Sequence, residues 1–107
     1  MKQYILIVAT VLSSILSPAQ DINKEISIDD ETPFLLGKID KNGLTSDHYN
    51  EWFSKNYNDY ELDQEIIQAI GSKLNAYQIT LFMGTWCGDS KMEVPRFYKI
   101  LEACNFP

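Results

Sequence analysis

The chain has 107 residues, of which 45% are hydrophobic and 22% charged, and its formal net charge is −6 at pH 7. That length suits one small domain. The acidic balance argues against nucleic acid and anionic membrane as partners, because both are gripped through basic patches.

Residues 1–19 read as a secretory signal peptide. Lys2 supplies the positive start, Ile5 to Leu16 is mostly apolar, and Ser17-Pro18-Ala19 offers small residues for cleavage before Gln20. The apolar run is shorter than the roughly 20 residues that cross a bilayer. The expected mature chain is therefore exported, periplasmic or extracellular, with no membrane attachment after cleavage. Cleavage removes Lys2 and no acid, which leaves 8 basic against 15 acidic residues, a net −7.

Residues 20–33 are acidic with scattered isoleucines and read as an extended leader or edge segment, loosely held. The domain proper is expected over 34–107. Phe34 to Asp40 predicts a strand. Lys41-Asn42-Gly43 predicts a turn, because Asn-Gly accepts positive φ. A helix is predicted over 46–56 with Thr45 or Ser46 as its cap. Tyr49, Trp52 and Phe53 share one face of it, a core stripe or else an aromatic surface for a partner. His48 stands alone. With Cys87 and Asp89 it would make too few and too irregularly spaced ligands for a metal.

A second helix is predicted over 61–75, with Leu62, Ile66, Ile70 and Leu74 as a core stripe and acidic residues crowding its N-terminal end. Residues 78–83 predict a strand, since Ile79 to Met83 is a short apolar, β-prone run. A helix follows from about Ser90, with Val94, Phe97, Tyr98 and Leu101 on one side; Pro95 kinks it. If that helix reaches Cys104, its ends lie roughly 20 Å apart. A disulfide needs Cα atoms within ~7 Å, so Cys87 and Cys104 are not expected to pair.

Cys87 sits where strand meets helix, beside main-chain N–H groups that have no partner within the helix. That position favours thiolate over thiol. Ser90 can donate to the sulfur, and Lys91 pushes the same way. Asp89 pushes back as a like charge, and Trp86 is expected to shield one flank.

The run Trp86-Cys87-Gly88-Asp89-Ser90, with Lys91 next and Pro95 five residues after Ser90, resembles the active site of the thioredoxin superfamily. That family carries Trp-Cys-Gly-Pro-Cys on the same strand–turn–helix, with a proline five residues past its second cysteine. The match covers about residues 78–101. The resemblance implies an α/β fold with a central sheet flanked by helices. It implies catalysis by Cys87 and Ser90, supported by Trp86, Gly88, Asp89, Lys91 and Pro95, with no cofactor. Ser90 replaces the second cysteine, so the implied chemistry is one-cysteine thiol–disulfide exchange with protein or small thiols and disulfides. The chain reaches Pro107 without the family's later strands, its cis-proline loop or its last helix, so a C-terminally incomplete domain is expected. The alternatives are a redox-inert binding module, using the aromatic face or the open strand edge, and a truncated non-functional fragment.

Overall fold

A computed structural model describes residues 21–107. The signal segment expected over 1–19 lies outside the described residues. Strand β1 (Lys24–Ile26) pairs antiparallel with β2 (Phe34–Leu36), with Lys24 opposite Leu36 and Ile26 opposite Phe34. The 20–33 segment thus supplies an edge strand. Asn23 anchors its start at φ 61, a conformation that asparagine tolerates. Its N–H donates to Lys38 O at 2.9 Å. Its side chain donates to Asp40 Oδ1 at 2.7 Å and accepts from Asp40 N at 2.9 Å.

The strand predicted over Phe34 to Asp40 stops at Leu36, because Gly37 turns the chain at φ 84. The turn predicted at Lys41-Asn42-Gly43 is instead the short helix α1 (Lys41–Leu44). Asp40 caps it, accepting from Gly43 N at 3.1 Å. Glycine is needed at 43 for space rather than for φ, as a Cβ there would lie 2.1 Å from Asn23 Oδ1.

Helix α2 (Asn50–Asp59) begins later than the predicted 46. The Ser46 and Thr45 hydroxyls explain this. They donate to Gly43 O at 2.6 Å and Lys41 O at 2.9 Å, closing α1 instead of accepting from the amides of α2. Tyr49 and Phe53 face inward and are each 2% exposed, in a core with Leu35, Leu44 and Val94. Phe53 stacks on Tyr57 at 6.1 Å and meets Tyr98 edge-on at 5.8 Å. The Tyr49 hydroxyl donates to Glu25 Oε2 at 3.1 Å. Burial, with that carboxylate, pushes Tyr49 up to about 12. Burial of Tyr49 and Phe53 overturns the reading of Tyr49, Trp52 and Phe53 as a docking face.

Helix α3 (Gln64–Leu74) starts at an Asp63 cap, whose side chain accepts from Glu65 N at 3.1 Å and Ile66 N at 3.2 Å. Its apolar stripe is not core. No residue of α3 is buried, and Ile66 is 54% exposed. Only a small part of the stripe meets the last helix, α4 (Gly88–Ala103), with Gly71 set against Cys104. Helix α4 packs along α2, and Glu102 ties it to α1 by accepting from Lys41 and to α2 by accepting from the Tyr57 hydroxyl.

Residues 78–83 have no regular secondary structure, so the predicted strand does not form. Their main-chain N–H and C=O groups have no hydrogen-bond partner among the described residues. Met83 packs on the core, whereas Leu81 is 47% and Phe82 92% exposed. The sheet of the described residues has two strands, so the central sheet that the resemblance implies is not built by them. Between 79–83, Gly37–Ile39 and the Phe97–Tyr98–Leu101 side of α4 lies an open groove of about 800 Å³.

Candidate functional site

The loop that carries the thiol is held at three points. Thr85 is buried, and its hydroxyl oxygen accepts from Leu35 N at 3.3 Å, across fifty positions of sequence. Cys87 N donates to Gly84 O at 3.0 Å, closing a tight turn. Gly84 N donates to Ser90 Oγ at 3.2 Å, which links the turn to the first turn of α4. A Cβ on Gly84 would meet the Trp86 ring at 2.8 Å, so the bare glycine lets the indole lie against the turn. Thr85→Val keeps the shape but strips the acceptor from a buried N–H. The expected loss is about 1–3 kcal/mol of unfolding free energy, read from urea denaturation; an unchanged midpoint would show that Leu35 N finds water instead.

Cys87 is the N-cap of the 16-residue α4, with extended backbone at φ −85 and ψ 125. Its carbonyl accepts from Lys91 N at 2.9 Å, the first hydrogen bond of the helix. The thiol is half-buried and free. It is held below its ordinary value, chiefly by the Ser90 amide, then by the Ser90 hydroxyl and the Asp89 amide. Slight desolvation and the Asp89 carboxylate oppose them. The geometry around Ser90 fits this: the Oγ already accepts from Gly84, so its own proton is free to point at the sulfur.

Five sequence-predicted site residues thus meet in one turn: Trp86, Cys87, Gly88, Asp89 and Ser90. The two supporting expectations for Lys91 and Trp86 change. Lys91 acts through its main chain, and its ammonium is not among the groups that lower the thiol. Trp86 is 74% exposed, with its ring on Gly84. Pro95 is buried at the start of the third turn of α4 and does not interrupt the helix, which runs on to Ala103. Cys104, the other thiol, is the buried C-cap of the same helix. A helix of this length separates the two by roughly 20 Å or more, and both are free.

Sequence reasoning missed Thr85, Gly84 and Asn56, which donates from α2 to Lys91 O at 3.0 Å. Thr85 and Asn56 act across the fold, so no local pattern marks them. The small-residue turn Gly84-Thr85 was the signal that was available. Among the described residues no cluster of three His, Cys, Asp or Glu side chains could hold a metal, and no helix is long and apolar enough to cross a membrane. No family model matches the chain, and no curated protein or solved structure matches it significantly.

Proposed function

We propose that the chain is an exported, thioredoxin-like protein that carries out thiol–disulfide exchange through the single nucleophile Cys87. One observation carries this reading. Cys87 is the N-cap residue of α4, its thiol is reachable from solvent, and the Ser90 amide, the Ser90 hydroxyl and the Asp89 amide hold it below its ordinary value. The thiolate is the attacking species in such chemistry.

The bonds change in two steps. The Cys87 thiolate attacks one sulfur of a disulfide R–S–S–R′, forming Cys87–S–S–R and expelling R′–S⁻. An outside thiolate R″–S⁻, small or protein-borne, then attacks the R sulfur, forming R–S–S–R″ and restoring the Cys87 thiolate. Ser90 cannot open the mixed disulfide, because a hydroxyl is not a thiol. Each cycle therefore exchanges partners with no net oxidation or reduction of the protein. Ser90 and the helix amides stabilise the thiolate both as nucleophile and as leaving group.

The test is alkylation of Cys87 across pH, followed at the peptide level by mass spectrometry. The expected midpoint lies below the ordinary ~8.5 of a free thiol. In parallel, Cys87→Ala is expected to abolish capture of disulfide-bearing partners, while Cys104→Ala leaves it intact. Equal capture by both variants would sink the assignment. A second reading rests on the main chain of 78–83, unpartnered among the described residues, and on the exposed Phe82: a binding module whose partner pairs with that edge. It predicts binding that survives Cys87→Ala and ignores reductant.

A further inference from the structure

Pro95 has no N–H, and in a regular helix the carbonyl of Lys91 would accept from residue 95. That donor is missing one turn from the thiol. Asn56 supplies a replacement from α2: its Nδ2 donates to Lys91 O at 3.0 Å, in a part-buried position. The same nitrogen donates to Trp52 O at 2.9 Å, one turn back on its own helix. An amide nitrogen carries two protons, and both are engaged. The side chain is thus braced on α2 while it reaches across to α4.

We infer that Asn56 is a positioning residue for the Cys87 thiol, standing in for the main-chain donor that Pro95 removes and keeping the first turn of α4 wound. The inference rests on the reading of Cys87 as a reactive thiolate. Lys91 closes that turn, its N–H on Cys87 O at 2.9 Å. Between them lie Asp89 and Ser90, at the open amide end of α4 that holds the thiol below its ordinary value. Hydrogen-bonded peptide units polarise one another along a chain. In a regular helix the Lys91 carbonyl shares its peptide unit with the Met92 N–H, which donates to Gly88 O, and that carbonyl shares its unit with the Asp89 N–H beside Cys87; with no donor on Lys91 O, this column loses its far end. The Asn56 N–H completes it with the polarity of the absent main-chain group.

The experiment measures the pH midpoint of Cys87 alkylation in the full chain for wild type, Asn56→Ala, Pro95→Ala and the double variant. Asn56→Ala is expected to raise the midpoint and cut the thiolate fraction at pH 7 about three-fold, the scale of one neutral hydrogen bond. Pro95→Ala alone is expected to leave the midpoint near wild type. The double variant is expected to recover it, because replacing the proline brings the main-chain N–H back. Urea titration of the same variants separates this local recovery from the general gain in helix stability that removing a proline brings. The isosteric Asn56→Asp, which swaps donor for acceptor, is measured alongside in case truncation unfolds the chain, and is expected to shift the midpoint the same way. A depressed wild-type midpoint that neither Asn56 variant moves overturns the inference alone, as does a double variant that fails to recover. An ordinary wild-type midpoint overturns the reading of Cys87 itself.

Discussion

Phe53→Ala is expected to leave the chain unfolded at 25 °C rather than merely weakened. Phe53 is 2% exposed and lies at the centre of the packing. It stacks on Tyr57, meets Tyr98 of α4 edge-on, and joins Leu35, Leu44, Tyr49 and Val94 in the buried cluster. Truncating a buried phenylalanine costs about 3–5 kcal/mol, from lost transfer energy and the cavity left behind. Small domains hold on the order of 5 kcal/mol in total. Among the described residues no second core offsets the loss, since no residue of α3 is fully buried and residues 78–83 join no strand. Near-ultraviolet circular dichroism and urea titration read the outcome. Phe53→Leu is the control; it keeps most of the volume and is expected to cost about 1.5 kcal/mol with a cooperative transition. A Phe53→Ala chain that stays folded with a loss under about 1 kcal/mol would place the core elsewhere.

The parts of this molecule that follow local rules were legible in the sequence. Spacings of three and four put Tyr49 and Phe53 on one face, and the structure buries both. The order apolar run, small turn, cysteine, helix put Cys87 at a helix head, and it is the N-cap of α4. What was not legible depends on choices between equivalent partners. Ser46 has the chemistry of an N-cap, yet its proton goes back to Gly43 O, and no spacing rule chooses between donating and accepting. Leu62, Ile66, Ile70 and Leu74 have core periodicity, but periodicity names a face and not what covers it. The same holds for 79–83, whose apolar, β-prone residues ask for neighbours that the described chain does not place beside them. In the site, Cys87 and Ser90 were readable from their motif. Thr85 and Asn56 were not, because each bonds a main-chain group that is 50 or 35 positions away. Helix α2 serves both core and site. Phe53 holds the core and Asn56, one turn on, holds the helix that presents the thiol.

Gly43→Ala is expected to lower Tm by about 10 °C, although the residue lies in a helix, where alanine normally outperforms glycine by about 1 kcal/mol. The sign is decided by Asn23. An added Cβ would sit 2.1 Å from Asn23 Oδ1, 2.3 Å from its Cγ and 2.9 Å from its Cβ, far inside the contact distance of roughly 3.5 Å. Asn23 cannot swing aside freely. Its amide donates to Asp40 Oδ1, its oxygen accepts from Asp40 N, and its own N–H is tied to Lys38 O. Moving it releases the Asp40 carboxylate that caps α1 and whose pKa is lowered first by Asn23 and then by the Gly43 amide. Overpacking at a buried site costs about 1–3 kcal/mol, and an overlap this deep belongs at the upper end, so the clash outweighs the helix-propensity gain. The decisive comparison is made in an Asn23→Gly background, which clears the space and still accepts φ 61. There Gly43→Ala is expected to turn neutral or stabilising, as propensity alone would have it. Contacting residues show such non-additivity; distant ones do not. The same loss in both backgrounds would mean that the approach of Asn23 to Gly43 is not what requires glycine at this position.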